Sequence, residues 1–514
     1  MEFYSVLFPN LKMEEETKKE APESLKDLHL DQLFDYVFEE KYEFMLQEFY
    51  YTQIKNPDVI SYRQDIMKDL LNEKVRSEIK TFSIKTGYLK KLMENNRAGL
   101  KEKFVKEKNY LIRGSILESA EVYIHAISDL VSNLDSLPVS SSGLLSFKEY
   151  VREYANTEFF KRLSNEVTRV RALFDNIHYN LYIKSGAMSV YKYHEEQSLT
   201  DEITNLFEKF QQDGLKKSLP KLKPEAIEPT MENVVLAMLS KVYPDEFKEL
   251  EKFASEFMEF DNPVLLRFSR EIEFFLSWYD ITENIRNNGL SFSIPKVSKS
   301  KEHMYASDFY DVMLAFNSPT SIVTNSIEMN TPEHILVITG PNQGGKTTFA
   351  RAFGQLHYLS SLGLDIPARE AEVFLCDQVL SHFEVEETID TLNGKLEDEL
   401  ERLYVLKENA TGDSVILINE IFASTTASDA ILLGSHMMGW LEGLGAIALV
   451  VTFLDELATY SNHVVSLMTS VKSKEDHTRT YKIVRKAPDG HAYAMDIAKK
   501  YGLSKEDLER RLSK

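Results

Sequence analysis

Five residues, Ile335–Thr339 (ILVIT), run without a break into Gly340-Pro341-Asn342-Gln343-Gly344-Gly345-Lys346-Thr347-Thr348, and no other stretch of the chain restricts the fold as tightly. A short continuous apolar run is the pattern of a strand buried on both faces, as in a parallel sheet covered by helices. The loop that follows fits G-x-x-x-x-G-K-[ST], which has physical meaning only between a strand and a helix. A helical pattern does begin at Thr348 or Phe349. Glycines let such a backbone curl so that its N–H groups point inward at phosphate oxygens, and the helix N-terminus adds partial positive charge at the same place. Lys346 is then expected to neutralise the β- and γ-phosphates of a nucleotide, and Thr347 to offer its hydroxyl to Mg²⁺. The competing reading is a glycine-rich turn in an unrelated α/β domain.

A site of this type needs a second apolar strand ending in acidic residues. Ser414–Ile418 (SVILI) leads into Asn419-Glu420. Glu420 is the expected catalytic carboxylate, placed to orient an attacking water. At the preceding position an aspartate would hold magnesium through water, but here Asn419 offers only a neutral carboxamide oxygen. Altering outer contacts of this type costs roughly 10–100-fold in metal affinity or activity, so the pattern predicts ATP binding with slow hydrolysis.

With 514 residues the chain exceeds what one hydrophobic core serves, and two to four domains are expected. Residues 1–27 include a charged stretch, Glu14–Lys26, that reads as a loose segment or a solvated helix. Residues 28–300 are rich in Leu, Phe, Lys and Glu and poor in proline and glycine, which predicts long helices in clamp-like arms. Within them Ile177, Tyr179, Leu181 and Ile183 alternate with other residues before Ser185-Gly186, then Val190 and Tyr191, the pattern of a small β-hairpin. Residues 301–500 alternate short apolar runs with helical stretches. Ile447–Thr452 and His463–Leu467 read as further buried strands, Arg479–Val484 as a more polar edge strand, and 501–514 as a terminal helix. The single cysteine, Cys376, allows no disulfide within the chain and no zinc-type spacing. No apolar run approaches the ~20 residues that cross a bilayer, and the cytoplasm is the expected location.

A net charge of −21 opposes long-range attraction to nucleic acid. The positive charge is nevertheless clustered: Ile79–Arg113 holds ten lysines and arginines against three glutamates, and Lys90, Lys91, Arg97, Lys101 and Lys103 are the candidates there for phosphate contact. Solvated helix faces account for the same residues equally well.

GPNQGGKTTFAR resembles the phosphate loop of the MutS family of DNA-binding ATPases, and INEIFASTTASDA resembles that family's acidic strand end and following loop, with Asp429 at the loop aspartate. Ile322-Val323-Thr324-Asn325-Ser326 is similar to the stretch that packs on adenine, which makes Ile322 and Asn325 the candidate adenine contacts, with Ile322 where an aromatic residue is common. RTYKIV and HAYAMDIAKKYGL resemble the closing strand and helix, and weaker colinear likeness covers residues ~30–300. The resemblance implies an ABC-type P-loop ATPase domain with α/β fold behind a mostly helical core-and-lever domain, with ATP and Mg²⁺ as ligands. Three positions depart from the family pattern. Core-like sequence begins near Leu28, so the mismatch-reading and connector domains are not expected. Phe453 stands where a nucleotide-sensing histidine is usual. The loop that reaches the partner's γ-phosphate aligns at Asn393-Gly394-Lys395, without its usual serine, with Glu399 at a recurring acidic position.

Sites of this class are completed across a dimer, and a C₂ homodimer is the simplest closed form. The resemblance thus implies a nucleotide-gated dimeric clamp on duplex or structured DNA, without standard mismatch reading. Two alternatives remain: an ATP-dependent switch that binds protein or ribosomes, favoured by the acidity, and a degenerate ATPase kept as a structural dimer.

Overall fold

A computed structural model describes residues 3–101, 110–184, 187–193, 231–341, 343–383, 395–422, 425–471 and 479–488. The protein is mixed α/β, helical in its N-terminal region and sheet-rich toward the C-terminus. The chain divides into two compact units: one comprises residues 1–80, 137–147 and 270–514, the other residues 81–136 and 148–269.

The second unit is built from helices. Tyr110–Leu134 and Glu158–Asp175 bury apolar residues at three- and four-residue steps, such as Ile116, Ala120, Tyr123 and Ile127 in the first. Thr157 caps the second, its hydroxyl accepting the N–H of Phe160. The expected hairpin is present: β1 (Tyr179–Lys184) pairs antiparallel with β2 (Ala187–Lys192), and Lys184 opposite Ala187 closes the register at the two-residue connection.

The larger unit carries two sheets. Strands β3 (Lys296–Ser298), β4 (His303–Phe309), β5 (Asn325–Asn330) and β7 (Glu370–Phe374) form a mixed four-stranded sheet in the order β3-β7-β4-β5. The six-stranded sheet is ordered β12-β11-β6-β10-β9-β8. Its strands are β6 (Ile335–Thr339), β8 (Val379–Phe383), β9 (Val415–Asn419), β10 (Ile447–Val451), β11 (Val464–Val471) and β12 (Arg479–Arg485). All pairings in it are parallel except β11 with β12, the edge strand. Every residue of β6, β9 and β10 is buried, which explains their unbroken apolar sequence. Each Val, Ile or Leu so buried contributes about 1.5–3 kcal/mol.

The helix Lys346–Leu362 follows β6 and is buried along nearly its whole surface. Its polar residues are therefore partnered: Gln355 donates to Leu28 O and Asp311 Oδ1 and accepts from the N–H of Val312. The polar segment Glu14–Lys26, expected as a loose segment or a solvated helix, is tied to the residues around Thr52–Asn56. The Glu15 carboxylate accepts the backbone N–H groups of Lys55 and Asn56, and the Lys18 N–H donates to Thr52. Short-range composition misses this, because the partners lie some thirty to forty residues away.

Candidate functional site

Strand β6 lies between β10 and β11, so the Gly340–Thr347 loop leaves the sheet at its centre, at the carboxyl ends of parallel strands. Open parallel sheets bind ligands at that edge. Gly340 has φ +114° and Gly345 φ +92°, which side chains disfavour. A Cβ on Gly340 would also collide with the Thr469 hydroxyl, and one on Gly344 would lie 2.8 Å from Thr469 Cγ2. The glycine spacing thus answers to backbone shape on one side and to β11 on the other. Gln343 is left-handed too, at φ 59°, in a loop whose shape is costly for ordinary residues.

Lys346 is the first helical residue, and its side chain is only 4% exposed. Its Nζ donates to Gly340 O at 2.9 Å and Pro341 O at 3.3 Å, folding back over the loop. Burial pushes the lysine pKa down, and the nearby Glu420 carboxylate opposes that shift. The Lys346 Nζ to Glu420 Oε1 distance is 3.9 Å. Two residues that the sequence separates by seventy-four positions therefore face each other. Thr347 Oγ1 donates to Asn419 Oδ1 at 3.1 Å, so the hydroxyl and carboxamide expected near magnesium are also adjacent.

Asn419 closes β9, and the N–H of Glu420 donates to Val451 O at 2.9 Å, extending the sheet by one bond before the chain turns. Glu420 then adopts φ 55° and Phe422 φ 57°. For L-residues that conformation costs roughly 1–2 kcal/mol each, so neighbouring contacts must hold the turn.

A cavity of about 310 Å³ opens beside this cluster. Gln343, Gly345, Lys346, Thr347, Thr348 and Glu420 line its polar end. Asn325, Ser321, Val323, Phe309 and Tyr481 are among the residues that line the remainder. Asn325 is committed structurally: it donates to Tyr481 O at 3.2 Å and accepts the N–H of Ile483 at 2.8 Å, tying β5 to β12. Ile322 is half-buried, and the residues on either side of it, Ser321 and Val323, are the ones that line the cavity. Tyr481 was not singled out from sequence. It is half-exposed at φ 57°, and its Cδ1 would lie 3.7 Å from a Cβ on Gly345. An aromatic residue on a polar edge strand was the available signal.

Among the described residues, the candidates Asp429, Phe453 and Glu399 do not line this cavity. Thr426 caps the helix Ala427–Leu444: its hydroxyl donates to the Asp429 carboxylate and accepts the Asp429 N–H, a reciprocal cap. Phe453, just past β10, is 51% exposed. Glu399 bonds within its own chain, accepting the N–H of Phe422 at 2.8 Å. Asn342, Asn393, Gly394 and Lys103 fall outside the described residues, as do the side chains of Lys101 and Lys395 and the expected helix after Leu503.

Much of the basic run is neutralised. Lys80 pairs with Asp280 at 2.7 Å, Lys85 with Asp129 at 3.0 Å, Arg113 with Glu251 at 3.0 Å, and Arg97 with Asp261. Lys90 is half-buried and Lys91 exposed on the helix Glu73–Lys101. Three lysines nearer the C-terminus are likewise engaged: Lys296 pairs with Glu372, Lys299 donates to Leu375 O, and Lys301 donates to the carbonyls of Gly412 and Gly445.

Among the described residues no helix is long and apolar enough to cross a membrane, and no cluster of three or more His, Cys, Asp or Glu side chains is arranged to hold a metal. The donor set beside Lys346 is a hydroxyl, a carboxamide oxygen and a carboxylate, all hard oxygen ligands. It fits a magnesium ion that keeps most of its waters.

The family profile of MutS domain V matches residues 336–512. Over 193 residues the chain is 27% identical to the DNA mismatch repair protein MutS of Chlorobium phaeobacteroides, covering 37% of this chain and 22% of that one. It is 28% identical over 187 residues to Endonuclease MutS2 of Staphylococcus epidermidis, covering 36% and 24%. A longer match, 24% over 236 residues, joins it to the DNA mismatch repair protein MutS of Clostridium tetani, covering 45% and 26%. The matched region thus spans about a quarter of these relatives' length. Over residues 336–512, which hold the Lys346–Glu420 cluster, the chain is similar to domain V of the MutS family.

Proposed function

We propose that this protein is an ATPase with a P-loop domain of the ABC type, binding ATP with Mg²⁺ in the cavity beside Lys346 and hydrolysing it slowly. The observation that carries the reading is the approach of Lys346 Nζ to within 3.9 Å of Glu420 Oε1, next to the Thr347–Asn419 bond. The backbone N–H groups of the Gly340–Thr347 loop and the helix N-terminus bind the terminal phosphates. Lys346, now folded onto the Gly340 and Pro341 carbonyls, swings to the β- and γ-oxygens. Thr347 and, through water, Asn419 hold magnesium, which supplies charge neutralisation at those oxygens when bound. Glu420 orients the attacking water. The wall formed by Val323, Asn325 and Tyr481 takes the base and ribose.

Two such sites facing each other make a homodimer, with Asn393–Lys395 of each chain reaching the other's nucleotide. The helical arms then act as a nucleotide-gated clamp on DNA; two of the relatives are named for DNA mismatch repair. Fluorescence anisotropy with plain, mismatched and branched duplexes at low salt, with and without ATP, tests this. Binding that weakens steeply with salt and shows little mismatch preference is expected. No binding in any nucleotide state contradicts the clamp.

A second reading draws on the ion pairs above. Lys80, Lys85, Arg97 and Arg113 held by carboxylates and a net charge of −21 support instead a nucleotide-dependent switch acting on a protein or ribosomal partner. Under that reading Glu420→Gln, trapped with ATP, enriches a protein or ribosomal partner in pull-downs while DNA stays unbound.

A further inference from the structure

The turn after β9 carries two left-handed non-glycine residues, Glu420 and Phe422, within three positions. The Phe422 ring is buried in the core beneath the sheet, which anchors the side chain but leaves the backbone N–H to find its own partner. That partner is Glu399 Oε1, at 2.8 Å. His382 Nε2 lies 3.9 Å from the same oxygen, and its side chain is 4% exposed. His382 sits on β8 opposite Ile418 of β9, while Glu399 is one turn into the helix Lys395–Asn409. The same helix and strand are joined again where Arg402 Nη1 donates to Phe383 O at 3.1 Å. Strand β8 and this helix therefore converge on the turn that aims Glu420 at Lys346. Glu399 is not among the residues that line the cavity.

We propose that Glu399 is a positioning residue: by holding the Phe422 N–H it keeps Glu420 directed at Lys346, and so governs the rate of nucleotide hydrolysis rather than nucleotide affinity. The proposal rests on the ATPase reading above. A carboxylate displaced by about 1 Å from its working position costs on the order of 10²-fold in rate, while the loop that grips the phosphates is untouched.

The test uses the full chain with Glu399→Ala, Glu399→Asp and Glu399→Gln. Steady-state ATP turnover gives kcat and KM, and amide hydrogen exchange follows the peptide covering residues 418–422. Glu399→Ala is expected to lower kcat by at least about tenfold, leave KM within about twofold, and speed exchange of that peptide. Glu399→Asp, whose shorter side chain withdraws the acceptor, follows the same pattern and serves if the alanine variant does not fold. Glu399→Gln keeps an accepting oxygen and recovers most of the parental rate. Parental kcat in the alanine and aspartate variants, a loss confined to KM, or a glutamine variant as slow as alanine overturns the proposal. A parent chain without ATP turnover overturns the ATPase reading instead. The exchange comparison needs no turnover, so unchanged exchange then still counts against Glu399 holding the turn.

Discussion

Asn419 ends β9 with its carboxamide oxygen bonded to Thr347, in the position where a charged ligand would draw magnesium more strongly. Replacing the amide by a carboxylate leaves the shape of the side chain almost unchanged and adds one negative charge beside the cation site. Asn419→Asp is therefore expected to raise ATP turnover at limiting magnesium by about tenfold, the lower end of what such contacts contribute. A magnesium titration of turnover reads this directly, and superimposable curves for parent and variant contradict the assigned role. Asp429 and Asn325 teach a different lesson at this scale. Both were singled out by position in a motif, and both have structural bonds within the chain, Asp429 with the Thr426 that caps its helix and Asn325 between two strands.

The helix Lys346–Leu362 packs so closely that Gly354 abuts two neighbours: a Cβ there would collide with the side chains of Leu28 and Leu417. Alanine in a helix interior gains about 1 kcal/mol over glycine from propensity alone. Overpacking a closed core costs about 1–3 kcal/mol, and both leucines are fully buried, so packing wins. Gly354→Ala is expected to lower the denaturant midpoint with little change in slope; a raised midpoint contradicts this. The strands that flank the site were legible because each is an apolar run buried on both faces, and β6 begins and ends where its sequence suggests. The antiparallel edge strand β12 was legible from its polar alternation. The second sheet was not. Strands β4, β5 and β7 mix exposed and buried positions over five to seven residues, the three residues of β3 include no buried one, and β3 and β7 pair across more than seventy residues. Local pattern carries no record of such pairing. Sequence distance also hid Tyr481, which lines the cavity from β12, 156 positions after the Asn325 that bonds its carbonyl.

Across the whole molecule, burial of ionisable groups sets how stability responds to acid. His357 lies fully buried in the central helix, with Nδ1 bonded to Phe374 O, and burial lowers its pKa to about 4. Above the unfolded value near 6.5 the ring is neutral in both states. Between about 6.5 and 4 the unfolded chain gains a proton that the folded chain refuses, so stability falls as pH falls through that window. The loss amounts to about 3 kcal/mol at pH 4. Denaturation of the parent at pH 7 and pH 5 should show this slope, and His357→Gln should flatten it; equal slopes in the two chains contradict the assignment. The Lys346–Glu420 cluster, β8, β9 and the helix with Glu399 all belong to one unit.

Binding and turnover of ATP by the parent, Lys346→Ala and Glu420→Gln form the single measurement closest to the central claim. The parent is expected to bind and slowly hydrolyse Mg·ATP. Lys346→Ala should lose binding because its phosphates go unneutralised, and Glu420→Gln should keep ATP bound with turnover reduced at least about 100-fold. Parental hydrolysis by Glu420→Gln, or undiminished ATP binding by Lys346→Ala, would contradict the account.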